Sequence, residues 1–337
     1  MKAPDYEVAP GVTIPSIGFG TFGSDHVDNA LMQESVRTAI KVGYRHIDCA
    51  SVYGNEKEVG EVLQEAFEGK ITGTPIPRSD FWITGKLWND MHDPDDVQKS
   101  FDKTLKDLQL DYLDLYLVHW PFPNFHPPKC DVTSRSPKAR PYIHSEFMKT
   151  WRAVEKIQKE GKTRFIGLSN VTIAKLKLIL TDCEVKPSII EMELHPAMQQ
   201  PELRKYVAEN GMQIIGFCPL GSPNRPERDK EPSDYVDMMD PVVVETAKAH
   251  NVHPASICLK WAHANHIIPI PLSTKERNIR SNIESICSDP LTEEEVEKLK
   301  ETDRNCRLVK GHVFLWEGAK DYHDLWDEDG IIAGWNK

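Results

Sequence analysis

Nowhere does this chain carry the run of roughly 18 apolar residues that a membrane-crossing helix needs. It also has no Lys/Arg cluster of the kind that follows a phosphate backbone. Neither a membrane nor a nucleic acid is therefore expected as a partner. The first residues, MKAPDYEVAPG, lack the apolar centre of a secretory signal, so a cytoplasmic protein is expected. The seven cysteines (Cys49, Cys130, Cys183, Cys218, Cys258, Cys287, Cys306) are odd in number, scattered, and form no C-x-x-C pair. That argues against a disulfide frame or a thiolate zinc site and for reduced thiols used as small core hydrophobes. The 13 histidines include no H-x-H or H-E-x-x-H pair at predicted strand ends, so a metal-hydrolase barrel is a poor fit and no metal is expected.

What is present is an ordinary globular composition: 337 residues, 39% hydrophobic, 28% charged, formal net charge −11. The acidic balance favours solubility and says little about a partner. Oligomeric state is not legible, and monomer and homodimer both stay open. At roughly 150 residues per domain the length suggests two domains, yet α/β barrels often run to about 250 residues as one.

The pattern decides between them. After a polar hairpin over residues 1–15, strand and helix signals alternate: strands at Ser16–Gly20, His46–Asp48, Phe81–Lys86, Leu113–His119, Phe165–Ser169, Ile189–Glu193, Gln213–Phe217 and Ile267–Pro269. Helices fall at Ala30–Lys41, Glu56–Phe67, Pro94–Asp107, Glu146–Lys159, Ile173–Leu180, Pro201–Asn210, Val242–His250 and Glu276–Ile283. The strands are short apolar runs, as expected when both faces are covered. Eight such units with right-handed crossovers close into a (β/α)8 barrel, with an open doubly wound sheet as the alternative. An extra helix is expected at Ser256–Ala264, and another at Thr292–Thr302 with Thr292 and Glu295 as a capping box. Pro121–Ser145, Gly221–Asp240 and the aromatic tail 304–337 are too long for simple connections and are expected over the carboxyl face. The whole of 1–337 is read as one barrel domain.

Gly18-Phe-Gly20-Thr-Phe-Gly23 fits the dinucleotide fingerprint G-x-G-x-x-G, with Asp48 further on. Gly18 and Gly20 fall inside a predicted strand, however, and polar residues separate Gly23 from the next helix. No helix N-terminus would stand directly behind the glycines to hold a pyrophosphate. More telling are four polar residues at the ends of neighbouring predicted strands: Asp48, Tyr53 in the loop after it, Lys86 and His119. Singly, Asp48 and Tyr53 read equally as satisfied structural residues, and a lone Lys or His at such a place is more often structural. On a barrel, all four converge on one pocket at the face where such folds place their chemistry.

Gly18-Phe-Gly-Thr-Phe22, Asp48 with Tyr53-Gly-Asn-Glu56, Lys86-Leu-Trp88, His119-Trp-Pro121, Gly161-Lys-Thr-Arg-Phe-Ile-Gly-Leu-Ser169-Asn170 and Pro219-Leu-Gly-Ser222 resemble the aldo-keto reductase family. The similarity runs from about Val12 to Asn305, and the 86–121 stretch is most similar to the aldose and xylose reductase branch. The resemblance implies hydride transfer from a nicotinamide to a carbonyl carbon, with Tyr53 as general acid, Lys86 and Asp48 as tuners, and His119 orienting the carbonyl. A free tyrosine has a pKa near 10. An adjacent ammonium is expected to lower that by about 1–3 units.

The resemblance further implies cofactor contacts at Gly20, Thr21, Phe22, Asp48, Ser169 and Asn170. Glu191 stands where the family has Gln, and Phe217 where it has a stacking Tyr. Cys218, Leu220 and Ser222 match a loop over the pyrophosphate. The family's Ile-Pro-Lys-Ser lacks its Lys here, so Ser273, Thr274, Lys275, Arg277 and Asn282 are the candidates for a 2′-phosphate. NADPH is expected, with NADH as the alternative. Phe22, Trp88, Trp120 and, in the tail, Trp316 are expected around the substrate, where indoles with nearby carboxylates suit a sugar-like carbonyl compound. The expected reaction is reversible reduction of an aldehyde or aldose to the alcohol or polyol. Polyol oxidation and a non-catalytic nicotinamide-binding subunit are the rival readings.

Overall fold

A computed structural model describes residues 2–126, 130–131, 133–223 and 225–333. Parts of the three expected long segments therefore lie outside the described residues: 127–129 and 132 of Pro121–Ser145, 224 of Gly221–Asp240, and 334–337 of the tail.

The chain opens on an antiparallel hairpin, β1 (Asp5–Ala9) and β2 (Val12–Pro15). Eight strands follow: β3 (Phe19–Gly20), β4 (His46–Asp48), β5 (Trp82–Leu87), β6 (Leu113–Val118), β7 (Thr163–Ser169), β8 (Ile189–Glu193), β9 (Gln213–Phe217) and β10 (Ile267–Pro269). Each pairs in parallel with its sequence neighbour. The ends meet, because Gly18 N donates to Pro269 O at 2.9 Å and Gly20 N to Pro271 O at 3.2 Å. A closed seam of this kind excludes the open doubly wound sheet.

That seam explains the glycines of the apparent fingerprint. A Cβ on Gly18 would sit 2.6 Å from His46 Nδ1, and one on Gly20 would sit 2.9 Å from the Ile270 carbonyl oxygen. Their task is close strand approach, and a short 3-10 turn at Ser24–His26 separates them from the first helix.

The helices lie outside the strands: α1 (Asn29–Val42), α2 (Glu56–Phe67), α3 (Pro94–Leu108), α4 (His144–Lys159), α5 (Ile173–Asp182), α6 (Pro201–Glu209), α7 (Pro241–Ala249), α8 (Pro254–Ala264), α9 (Glu276–Cys287), α10 (Glu293–Leu299) and a short α11 (Tyr322–Trp326). Thr292 caps α10 in the expected box with Glu295. Side chains alternate across the barrel wall, as a strand requires. Leu115 and Leu117 of β6 face an inner cluster with Trp82, Ile189, Ile215 and Ile268, while Tyr116 and Val118 face the helices. The hairpin plugs the amino end through Ile14, with Tyr6, Val8 and Val12 packed beside it. The inner core thus fills the amino half, and polar groups are left to the carboxyl half. No helix among the described residues is long and apolar enough to cross a membrane.

Candidate active site

Register brings the four strand-end residues together. Gly20 pairs with Asp48, Asp48 with Thr84, and Lys86 with Leu117, two residues before His119. Thr21 holds the Asp48 end in place: its Oγ1 donates to Asp48 O at 2.7 Å, and Asn55 Nδ2 ties Thr21 O at 2.8 Å. A 3-10 turn at Ser51–Tyr53, closed by left-handed Gly54, then presents the phenol.

Lys86, Asp48 and Glu191 are all but inaccessible. Lys86 Nζ donates to Asp48 Oδ1 and, at 3.2 Å, to Cys49 O, and it lies 3.3 Å from Glu191 Oε1. The same ammonium sits 5.4 Å from the centre of the Tyr53 ring. Tyr53 stands edge-on to His119 at 5.8 Å and tilted against Phe22 at 5.1 Å. The sequence-predicted quartet is thus one cluster. Glu191, expected at the nicotinamide, has its carboxyl beside the Lys86 ammonium.

The electrostatics correct one expectation. Burial pushes the Tyr53 phenol above its ordinary value; Lys86 pulls it down, but Asp48 and Glu191 push it up again. The ammonium acts in the expected sense without setting the net direction, so the resting phenol keeps its proton. Burial pulls Lys86 down, yet Asp48, Glu191 and Tyr53 outweigh it and hold the ammonium well above its ordinary value. Burial, then the charge of Lys86, holds His119 well below the usual imidazole range, so it is neutral and has one N–H to donate.

Ser169 and Asn170 stand beside this cluster. Ser169 Oγ donates to Glu191 O at 2.9 Å, and Asn170 Nδ2 donates to His119 O at 3.0 Å. Asn170 is left-handed (φ 54°), and its buried Oδ1 has no partner. An orphaned amide oxygen there fits the carboxamide N–H of a nicotinamide. Phe217 is half-buried beyond it at the end of β9. In the following turn Cys218, Gly221 and Ser222 are all left-handed (φ 50°, 68° and 40°). Non-glycine residues so held are strained, and runs of this type turn backbone N–H groups toward anions. Leu220 is half-buried in the same turn. Burial raises the Cys218 thiol to about 12, so it is no nucleophile. Ser273, Thr274, Lys275 and Arg277 lie at the start of α9, the last two exposed, where N–H groups and cations can meet a phosphate. Asn282 is buried on the same helix.

Trp88 meets His119 edge-on at 5.0 Å. Trp120 packs on Phe314 at 4.4 Å and on Trp326 at 5.5 Å. Phe314 also reaches Trp88 at 6.0 Å and Phe122 at 6.1 Å. The tail contributes Phe314 and, behind Trp120, Trp326 to this wall. Trp316, named from sequence, is half-buried two residues after Phe314, and none of the ring pairs above involves it. Phe122 was legible as the aromatic next to the His119-Trp-Pro121 motif. The tail's carboxylates are largely engaged elsewhere. Asp321 caps α11, Asp324 accepts from Lys320 N, and Asp327 pairs with Lys175 at 2.6 Å.

One more cluster positions the site. His195 lies between Asp237 at 2.9 Å and Glu193 at 3.2 Å, and Glu193 also accepts from Leu308 N and Val309 N. It joins β8, the 218–240 segment and the tail. Burial lowers the His195 pKa, but the two carboxylates outweigh burial and raise it to about 9. A raised histidine stabilises fully below its unfolded value near 6.5 and loses that contribution as pH rises through its folded value. Thermal stability is therefore expected to fall between about pH 7 and 10, and the fall should be shallower in His195→Gln, read by calorimetry across pH.

A barrel with an ammonium, a phenol and a neutral imidazole at its carboxyl mouth defines a class of carbonyl-handling oxidoreductases. The chain belongs to the Aldo/keto reductase family, whose sequence model matches residues 16–304, and it is an NAD(P)H-dependent oxidoreductase. It is 37% identical over 304 residues to aldo-keto reductase family 1 member A1 of Sus scrofa, covering 89% of each chain. It is 33% identical over 324 residues to an aldo/keto reductase of Synechocystis, covering 96% of each. Among solved structures, the Bombyx mori aldo-keto reductase in complex with NADP superposes with a TM-score of 0.80 at 28% identity, over 92% of this chain and 95% of that one. The aldose reductase of Schistosoma japonicum gives 0.76 at 31% identity, over 93% and 96%.

Proposed function

We propose that this protein reduces an aldehyde or aldose to the alcohol or polyol with NADPH, reversibly, with Tyr53 as proton donor. The observation that carries the reading is the Lys86 ammonium 5.4 Å from the centre of the Tyr53 ring, within reach of His119 and beneath the aromatic wall. NADPH, when bound, supplies the hydride. Ser169 and Asn170 would hold its carboxamide, Phe217 would stack on its ring, and the 218–222 turn would take the pyrophosphate. Ser273, Thr274, Lys275 and Arg277 would take the 2′-phosphate, with Asn282 behind them. His119, neutral, donates to the carbonyl oxygen and orients it. Tyr53 passes its proton to that oxygen as negative charge builds there, and Lys86 stabilises the phenolate left behind. Phe22, Trp88, Trp120 and Phe314 exclude water and stack on the substrate, which favours aldehydes with a flat body or the apolar face of a sugar.

A steady-state panel of aldoses, uronates, ketoses and simple aldehydes with each cofactor tests this. The expected result is turnover of aldehydes or aldoses with a KM for NADPH below that for NADH. A large NADH preference would remove the phosphate assignment. Tight cofactor binding without turnover on any carbonyl would favour the non-catalytic reading.

A further inference from the structure

Glu191 has no task in the chemistry above, yet it shares one buried ammonium with Asp48. Lys86 has three N–H groups, and three acceptors surround it: Asp48 Oδ1, Cys49 O at 3.2 Å, and Glu191 Oε1 at 3.3 Å. The Tyr53 phenol also lies within hydrogen-bonding reach of this ammonium, so four groups compete for three N–H bonds. The two carboxyl groups also lie within hydrogen-bonding reach of each other, and each has one buried oxygen, Asp48 Oδ2 and Glu191 Oε2, without a partner. Two buried carboxylates on one ammonium leave an uncompensated negative charge, which costs more than protonating one of them. A single proton shared by the two carboxyl groups supplies the donor that their orphaned oxygens lack and brings the cluster to neutrality.

We propose that Glu191 is a positioning residue that works as the neutral acid: its proton is donated to Asp48, the third N–H of Lys86 is released toward Tyr53, and loss of that proton shuts the donor down. Ionised, Glu191 captures the N–H and adds a negative charge beside the phenol. The groups acting on Glu191 are Asp48 from β4, Tyr53 from the turn after it and Lys86 from β5; Ser169 of β7 and the apolar Ile215 of β9 pair with it in register, and His119 and His46 act on it through Lys86. Burial first, then Asp48, holds the Glu191 carboxyl well above the usual range, in the sense the geometry requires.

The inference rests on the reading of Tyr53 as donor, so two readouts are needed. Infrared difference spectra of the full chain near neutral pH should contain the carbonyl stretch of a protonated carboxyl group, and Glu191→Gln should lack it. That band does not depend on turnover and should survive in Tyr53→Phe, whichever group donates the catalytic proton. Separately, the alkaline limb of the kcat profile for carbonyl reduction, normalised to each enzyme's own plateau, should move up by about one pH unit in Glu191→Gln, as expected for removal of one neighbouring charge. Absence of a Glu191-dependent band, or normalised profiles that superimpose, would overturn the proposal.

Discussion

Tyr53→Phe is expected to lower kcat for carbonyl reduction by roughly 10²–10⁴-fold, the range for loss of a positioned general acid, while cofactor affinity is unchanged. The substitution is conservative in every respect but one. The ring keeps its contact with Phe22 at 5.1 Å, with His119 at 5.8 Å and with the Lys86 ammonium at 5.4 Å. Only the hydroxyl is lost, and with it the proton that the proposed mechanism passes to the carbonyl oxygen. Fluorescence titration with NADPH separates binding from chemistry, and single-turnover measurement keeps product release from masking the chemical step. Near-parental kcat would move the donor role elsewhere. His119 could not take it as a cation, because burial and Lys86 keep it neutral.

Much of this site is legible in the one-dimensional sequence because barrel topology does the assembling. Asp48, Lys86 and His119 stand at or just past the ends of strands that pair in sequence order, so strand ends close in sequence are close in space. The same logic exposes the fingerprint at Gly18–Gly23, since Gly18 and Gly20 bond across the strand seam with no helix start behind them. What escapes is side-chain direction. Glu191 sits at the predicted strand end, but whether it faces a cofactor or Lys86 depends on a rotamer and on the charge already there. Phe314 and Trp316 alternate along an irregular tail with no period to say which turns inward. The net direction of the Tyr53 pKa is also beyond a pairwise argument. One ammonium lowers it, but desolvation of the phenol and two neighbouring carboxylates are properties of the folded surroundings. The tail's carboxylates illustrate the same gap. Asp327 is spaced as if for substrate hydroxyls, yet it pairs with Lys175, which sits in the first turn of α5.

Lys86→Met should be the most damaging single change in the molecule, and its signature is a dependence on pH. The substitution roughly preserves the length of the side chain and removes the only ammonium between Asp48 and Glu191. Removing one partner of a buried ionic cluster typically costs about 3–5 kcal/mol, because a charge is left buried without compensation. Here the stranded groups are carboxyls that can escape by taking up protons. A buried carboxylate without a cation is disfavoured against its protonated form, so the stability that protonation permits is present at low pH and lost as pH rises. The gap in thermal midpoint between parent and variant should therefore be small in acid and widen toward alkaline pH. Catalysis should fall by at least as much as in Tyr53→Phe, since the phenolate formed on proton transfer would have no counter-charge. Lys86→Arg should not restore it, because a planar guanidinium cannot reproduce three divergent N–H bonds in so closed a space. A stability gap that is constant with pH would mean that lost packing, not stranded charge, is what the substitution costs, and the electrostatic account of the whole cluster would fall with it.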